Sequence, residues 1–261
     1  MTTFDASRAG KLPEITLAFW VMKICATTLG ETAGDLLSMT LDVGYAVSSL
    51  LLLGAFLASL FAQVRTDRYR PLLYWTVILT TSTAGTTMSD FMDRTLGWGY
   101  ALGSMVLVGL LAVTLGLWWL AERSLSVTSV RSRRAELFYW GTILVSNTLG
   151  TALGDYLADD SGLGFAGGAL LIGTCLAIVA GAYYGTRLSR VALFWIAFVL
   201  TRPFGATFGD VLTKPADHGG LDLGTAGSSL VLLGILALLV FRAVLVLRSR
   251  EVVVTAGSTE V

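Results

Sequence analysis

The chain has little charge, two cysteines, one histidine and four prolines. Of its 261 residues 14% are charged and 54% are hydrophobic, whereas soluble domains carry about 25% charged residues. Cys25 and Cys175 both lie in apolar runs, so we expect no disulfide framework. With His218 as the only histidine, a zinc or copper site rich in Cys and His is excluded. This composition is typical of a polytopic membrane protein.

Motifs of enzymatic chemistry are missing as well. The sequence contains no nucleophile–base set, no HExxH motif and no phosphate-binding glycine loop, so we expect neither an enzyme nor an organic cofactor. Its 18 basic and 18 acidic residues give zero net charge, and we expect no nucleic-acid partner. The first eleven residues are short and polar, unlike a cleaved signal peptide.

Long apolar runs dominate what is present. A helix needs about 20 residues to cross a bilayer, and eight stretches reach that length. They cover approximately residues 13–37, 44–64, 71–92, 99–121, 136–157, 164–184, 191–212 and 224–247. The sequence therefore predicts an all-α membrane protein with eight transmembrane helices in one polytopic domain over residues 1–261. Residues 248–261 form a polar tail that we expect to be disordered.

Charged residues are distributed unevenly between the two ends of these spans. Fourteen of the 18 basic residues lie at the N-terminus, in three alternate connections and at the C-terminal end. The other connections hold only Arg94 and Lys214. Because positive residues concentrate on the cytoplasmic side, both termini are predicted to be cytoplasmic. Ten of the 18 acidic residues lie at the opposite, outer end, where they would concentrate cations.

One pattern occurs four times: a Trp, a Gly ten residues later and an Asp five residues further. The copies are Trp20–Gly30–Asp35, Trp75–Gly85–Asp90, Trp140–Gly150–Asp155 and Trp195–Gly205–Asp210. Residues 120 apart match, which indicates a hairpin duplicated twice. The repeats cover approximately residues 13–64, 71–121, 136–184 and 191–247.

Each repeat holds two spans, so successive repeats share one orientation. This predicts four parallel helical hairpins with a pseudo-fourfold or pseudo-twofold axis along the membrane normal. We expect the odd-numbered helices to line that axis because they carry the polar residues. The repeated Trp is expected to anchor or pack near the membrane boundary.

A polar face recurs on each odd helix. Counted from the Trp, positions +7, +8, +11, +12 and +15 fall within about 140° of arc and carry mostly hydroxyls followed by the Asp. The candidate ion-binding or path residues are Asp35, Asp90, Asp155, Asp210, Glu31, Thr28, Thr83, Thr148, Thr86, Thr151 and Asn147. Carboxylates and hydroxyls suit a hard cation, and the four Asp are the candidate metal ligands.

The Asp residues also have a purely structural interpretation. In three repeats the Asp follows a Gly, as in Gly34–Asp35. A Gly suits the residue after a helix end, and an Asp suits the N-cap of a following turn. Against this alternative, a carboxylate at a helix C-terminus opposes the helix dipole.

The even-numbered spans each open with two small residues four positions apart. These pairs are Gly44/Ser48, Gly99/Gly103, Gly164/Gly168 and Gly224/Ser228. Such spacing lets helices approach closely in lipid, so we expect these residues to close the hairpins.

Three charged residues inside the spans break the fourfold pattern: Lys23, Glu31 and Arg202. A charge at the bilayer centre costs at least about 2.5 kcal/mol, so these groups should be paired. Arg202 and Glu31 lie about one turn apart in depth, on repeats that become neighbours if a ring closes. The sequence predicts that they pair across this seam. The pair has two possible roles. It fixes the closure of the ring, or it couples or gates transport, and in that second role Lys23 acts as a built-in competing cation.

The segments Thr28-Leu29-Gly30-Glu31-Thr32-Ala33-Gly34-Asp35 and Thr148-Leu149-Gly150-Thr151-Ala152-Leu153-Gly154-Asp155 resemble an uncharacterised bacterial family. Its members are described as membrane-anchored or repeat-containing integral membrane proteins. The likeness extends across nearly the whole chain, and the second repeat departs from it most, with Ser89 before Asp90. The resemblance implies a multi-pass protein of the bacterial inner membrane and no established substrate.

Three functions are compatible with these patterns. The leading hypothesis is a transporter or channel for a small hard cation, with the lipid bilayer and that cation as partners and homo-oligomerisation left open. The second is a non-transporting scaffold or regulator whose partners dock on the basic loop from Arg123 to Arg134. The third is an anion or small-solute carrier that uses Lys23 and Arg202.

Overall fold

The computed structural model describes residues 11–130, 132–216 and 219–257, and every regular element within them is helical. The α-helices are α1 (Leu17–Asp35), α2 (Tyr45–Val64), α3 (Pro71–Asp90), α4 (Gly99–Glu122), α5 (Arg133–Asp155), α6 (Gly164–Gly185), α7 (Arg190–Thr213) and α8 (Thr225–Gly257). These bounds follow the expected spans closely, except that α8 is longer. Residues 248–257, expected to be disordered, are helical, while residues 258–261 and His218 lie outside the described part.

Five of these helices, α2, α4, α6, α7 and α8, are long and apolar enough to cross a membrane. The even helices expose apolar side chains at equivalent positions, and each of these side chains is 65–73% exposed. They are Leu50, Met105, Leu170 and Leu230. Large apolar groups on the outside of a bundle are typical of a lipid-facing surface. Helices α1, α3 and α5 carry more polar residues and are largely buried inside the bundle.

The odd helices form a closed inner ring in which α1 packs against α3, α3 against α5, α5 against α7 and α7 against α1. The glycines ten residues after each Trp allow this close approach. A Cβ atom added to Gly30, Gly85, Gly150 or Gly205 would lie 2.2–2.9 Å from the residue at position +7 of the following repeat. Those neighbours are Ser82, Asn147, Arg202 and, for Gly205, Thr27. The ring therefore closes through one contact that recurs at all four interfaces.

The even helices form an outer layer, and each packs against the odd helix of the next repeat. Helix α2 packs against α3, α4 against α5, α6 against α7, and α8 returns to α1. The two helices of one repeat are adjacent in sequence but do not form a packed hairpin. The hairpin arrangement is therefore not confirmed: each even helix lies mainly against the following inner helix and touches its own repeat mainly near the connection between the two helices.

The connection between the two helices of a repeat explains this geometry. In the first three repeats the odd helix continues into five residues of π-helix, at Leu36–Thr40, Phe91–Thr95 and Tyr156–Asp160. Backbone bonds from residue i+5 close each segment, such as Leu41 N to Leu36 O at 2.8 Å. Each segment thus extends the inner helix before the chain turns outward.

The small-residue pairs that open the even helices divide into two roles. Their first members have φ of +68° to +78°, and a Cβ there would meet no atom within 4 Å. These turn residues are Gly44, Gly99, Gly164 and Gly224. The second members are the packing residues: a Cβ on Gly103 would overlap the Asp93 carboxylate, and Ser48 is buried. The prediction that these small residues pack closely therefore holds for the second residue of each pair and not for the first.

Candidate functional site

Eight aromatic rings close the axis where the inner helices begin. The residue before each Trp lies against the Trp of the next repeat. These four pairs are Phe19–Trp75, Tyr74–Trp140, Tyr139–Trp195 and Phe194–Trp20, with centroids 5.4–6.4 Å apart. The hydroxyls of Tyr74 and Tyr139 are 2.7 Å apart and share a hydrogen bond. Trp75 and Trp140 are buried, so the repeated Trp packs between repeats instead of only marking a lipid boundary.

The next layer, at position +3, contains three apolar side chains and one lysine. All four are fully buried: Lys23, Ile78, Ile143 and Phe198. Lys23 Nζ lies 4.1 Å from the centroid of the Phe198 ring and has no hydrogen-bond partner among the described residues. Contact with an aromatic face stabilises a desolvated cation by about 2 kcal/mol, which does not replace its lost hydration.

Position +7 supplies a polar layer of Thr27, Ser82, Asn147 and Arg202, all fully buried. Asn147 Nδ2 donates to the hydroxyls of Thr81 and Ser82. Its Oδ1 accepts no hydrogen bond from the residues that the structure describes. The amide therefore links α3 to α5 but leaves one acceptor unused.

The guanidinium of Arg202 reaches into the layer at position +11. Its Nη2 lies within hydrogen-bond distance of three oxygens on three other inner helices. These are Glu31 Oε2 at 2.8 Å and the hydroxyls of Thr86 and Thr151, each at 2.5 Å. The fourth member of this layer is Ala206, which leaves room for the nitrogen. The predicted Glu31–Arg202 ion pair is thus present, and its nitrogen occupies the centre of the oxygen layer.

Four carboxylates form the layer at position +15. Asp35, Asp90, Asp155 and Asp210 are only 2–4% exposed, and each comes from a different repeat. The structure therefore brings the four predicted Asp to one end of the bundle.

Two basic side chains from the connections join these carboxylates in pairs. Arg94 Nε lies 3.0 Å from Asp90 Oδ1, and its Nη2 lies 3.6 Å from Asp155 Oδ2. Lys214 Nζ lies 3.0 Å from Asp35 Oδ2 and 3.3 Å from Asp210 Oδ1. Four carboxylates and two cations leave a formal charge of −2 in this layer.

Both bridging cations stay protonated at neutral pH. Burial lowers the pKa of Lys214, but the carboxylates of Asp210 and Asp35 outweigh it and hold that pKa above its ordinary value. Burial likewise opposes the charge of Arg94, and the carboxylates of Asp90 and Asp155 raise its pKa. Arg94 and Lys214 thus act as internal counter-ions of the carboxylates. Their positions in the connections between helices do not by themselves indicate this role.

The capping interpretation of the Asp residues is wrong. Asp35, Asp90 and Asp155 have helical φ and ψ and make no side-chain cap bond, because the chain continues directly into π-helix. Asp210 lies inside α7. Gly34 before Asp35 is not a helix terminator either, since a Cβ there would lie 2.9 Å from Thr86. It continues the close contact between inner helices.

The hydroxyls at position +8 behave differently from those at +11. Thr28, Thr83 and Thr148 each donate to a carbonyl one turn earlier on their own helix. Among the hydroxyls of the described residues, Thr86 and Thr151 are the two that reach Arg202. The hydroxyls at +8 are therefore satisfied locally, as in many polar membrane helices.

The departure of the second repeat from the pattern also has a local explanation. Ser89 Oγ donates to Asp93 Oδ2 at 3.2 Å, and Asp93 packs against Gly103 on α4. Asp90 keeps its place among the four carboxylates.

Arg94 and Lys214 are the site residues that the sequence interpretation missed. A signal for both was present: each stands four residues after the Asp of its repeat, and they are 120 residues apart. A basic residue four positions after an acid on a helix forms an ion pair. Lys214 also lies beside the three carboxylates best placed to hold a metal, Glu31, Asp35 and Asp210, whose nearest oxygens are all within 4.8 Å of one another.

The repeat organisation is matched by a family model described as Repeat of Unknown Function (DUF347). It aligns four times, with residues 18–69, 73–124, 138–189 and 193–249. No curated protein and no solved structure matches the chain.

Proposed function

We propose that this chain, which belongs to the DUF347 family of repeats of unknown function, is a membrane transporter for a small hard cation. The cation would cross the membrane along the axis of the four inner helices. All eight helices would cross the inner membrane of a bacterium, with α1, α3 and α5 shielded by the five more apolar ones. Both termini would be cytoplasmic, and the Asp layer would face outward.

The surroundings of Arg202 Nη2 carry this proposal. A cationic nitrogen lies at the meeting point of oxygens from Glu31, Thr86 and Thr151. A dehydrated hard cation requires the same kind of environment, several oxygens from carboxylates and neutral groups. The excess of negative charge in the Asp layer supports cation entry from that end.

The closed ends of the axis favour a transporter over an open channel. Aromatic rings fill one end, and the bridged carboxylates occupy the other. An ion could cross only after a rearrangement of the inner helices. Pro203, inside α7 and next to Arg202, removes one backbone hydrogen bond. It makes α7 the inner helix best suited to bend and withdraw the guanidinium.

A static scaffold is the main alternative, and the filled axis favours it. Buried polar groups in such a network are normally hydrogen-bonded. Here the atoms Lys23 Nζ, Arg202 Nε and Arg202 Nη1 are buried without a partner in the described part of the chain. Each unsatisfied group costs about 1–3 kcal/mol, which favours a site where ions and water exchange. The same nitrogens would suit an anion carrier, but the four carboxylates oppose it.

Flux through the purified protein in liposomes tests this function. We expect an imposed gradient of Mn²⁺ or K⁺ to drive cation uptake that empty liposomes lack. Replacing all four Asp of the +15 layer with Asn should abolish that uptake, because the carboxylates that attract and bind the cation are removed. The matched control is the Asp159→Asn/Asp160→Asn variant, since both side chains are exposed at the same end of the bundle.

Three outcomes would contradict the proposal. Unchanged flux in the fourfold Asn variant would remove the carboxylate path. Anion flux without cation flux would favour the carrier alternative. The absence of any flux from folded protein would favour the scaffold.

A further inference from the structure

The two internal cations of the Asp layer occupy equivalent places in the repeat pattern. Arg94 and Lys214 each stand 19 residues after the Trp of their repeat. Each bridges its own Asp to the Asp of the neighbouring repeat. The layer thus contains two sites related by the 120-residue duplication, one between repeats two and three and one at the seam between repeats four and one.

The seam site has an additional carboxylate. Glu31 lies beside Asp35 and Asp210, and the nearest oxygens of these three residues are within 4.8 Å of one another. At the other site the residue equivalent to Glu31 is Thr151. Carboxylate oxygens around one divalent ion lie about 2.0–2.6 Å from it, so the oxygens at the seam can reach a common centre.

The ammonium of Lys214 leaves one carboxylate oxygen of this site without a hydrogen bond from any described residue. Asp210 is 3% exposed, and its Oδ1 forms no hydrogen bond within the described residues. Lys214 Nζ is 3.3 Å from that oxygen but lacks hydrogen-bond geometry. A buried carboxylate oxygen without a hydrogen bond is unusual, and a bound ion would supply the missing partner.

Formal charge selects the class of ion. Without Lys214, Glu31, Asp35 and Asp210 carry −3, and Arg202 beside Glu31 contributes +1. At this site the remaining −2 is neutralised by one divalent cation, whereas a monovalent cation leaves −1. The neighbouring site of Asp90, Asp155 and Arg94 adds −1 to the layer in either case.

Lys214 is better placed than Arg94 to leave its site. It lies directly after α7 in a connection five residues longer than those of the other repeats, since Trp195 to Gly224 spans 29 residues and Trp20 to Gly44 spans 24. A lysine ammonium is a flexible point charge, whereas the arginine fork holds two carboxylates in fixed geometry.

From these observations we propose that Glu31, Asp35 and Asp210 form a binding site for one hard divalent cation, and that Lys214 is a tethered competitor that leaves when the ion binds. Arg94 is a permanent bridge at the equivalent site. The proposal deepens the transport function and names its ion class. In the transport cycle, Lys214 would return to the carboxylates after the ion departs and so prevent an empty, strongly negative site.

Equilibrium binding of Mn²⁺ to purified protein in detergent, without any gradient, tests the site. Calorimetry or the Mn²⁺ paramagnetic signal gives the affinity. The Lys214→Met variant should bind Mn²⁺ about tenfold or more tightly than the unmodified protein, because a like charge at ligand distance is removed. The matched variant is Arg94→Met at the equivalent position, where no tightening is expected. Adding Glu31→Gln to Lys214→Met should reverse the gain.

Size-exclusion profiles establish that each variant is folded, and Lys214→Gln provides a second test if Lys214→Met is not. Equal Mn²⁺ affinity in the Lys214 variants and the unmodified protein would overturn the proposal, and so would equal tightening by Arg94→Met. The two proposals fail separately. Tightened binding without flux in liposomes would leave the site standing and remove transport, whereas flux with unaltered affinity would do the reverse.

Discussion

Replacing Arg202 with methionine is expected to destabilise the protein by about 3–5 kcal/mol, because it leaves the buried carboxylate of Glu31 without its cation. Glu31 is 3% exposed, and Arg202 is fully buried. The substitution also removes the nitrogen shared by Thr86 and Thr151. The fraction of folded protein and its thermal midpoint, measured by fluorescence-detected size exclusion in detergent, give the effect.

The double variant Glu31→Gln/Arg202→Met is the informative control. It removes both charges together, so most of the lost stability should return. A double-mutant cycle that includes Glu31→Gln alone then gives the coupling between the two side chains. A single Arg202→Met variant as stable as the unmodified protein would show that the pair does not hold the seam closed.

The seam between repeats four and one concentrates the departures from fourfold symmetry. Lys23, Glu31, Arg202 and Lys214 all lie there, while most equivalent positions in repeats two and three are neutral. A purely structural ring would be served by four similar interfaces. Within the described residues, Lys23 Nζ, Arg202 Nε and Arg202 Nη1 are buried without a hydrogen bond. This adds a cost that packing alone does not require, which supports a functional role for this interface.

Several features of the fold could be predicted because they follow from local physics. Helix bounds follow the apolar runs, and the Glu31–Arg202 pair follows from the cost of an isolated charge in a bilayer. The order of the inner helices followed from the duplication and the need to close a ring. In each case the sequence itself contains the constraint.

Other features depend on relations between repeats and could not be predicted in the same way. The even helices are apolar over most of their surface, so no stripe of residues tells which inner helix each will cover. Arg94 and Lys214 enter the sequence prediction only through the count of basic residues on each side of the membrane, because the predicted spans end before them, at residues 92 and 212. The helix in fact continues past Asp90 as π-helix, and this places Arg94 back over the carboxylate.

The role of Gly30 was also missed, although its position in the repeat was recognised. The structural alternative treats Gly34 as a helix terminator, and the small-residue spacing is used only for the even helices, so the pair Gly30 and Gly34 on an inner helix goes unrecognised. Close helix approach in lipid depends on such pairs. Both glycines lie against α3, at Ser82 and Thr86.

Substitution of Gly30 by alanine is expected to lower stability by about 1–3 kcal/mol, the usual cost of overpacking a core. The new Cβ would lie 2.4 Å from the Cβ of Ser82, whereas unstrained carbon atoms stay about 3.5–4.0 Å apart. Alanine alone favours a helix by about 1 kcal/mol over glycine, so a net loss requires the steric clash to prevail. The thermal midpoint in detergent measures the difference.

Gly141→Ala on α5 is the matched control, because a Cβ there meets nothing within 4 Å. This variant should be neutral or slightly stabilised by helix propensity. Gly150→Ala, 120 residues after Gly30, should repeat the loss because its Cβ would lie 2.2 Å from Arg202 Cγ. The two losses should deviate from additivity, because Arg202 at the Gly150 contact also hydrogen-bonds Thr86, whose hydroxyl donates to the Gly30 carbonyl. Equal stability of Gly30→Ala and Gly141→Ala would mean that the inner helices do not meet at their repeated glycines. The closed ring that brings the four carboxylates together would then be wrong.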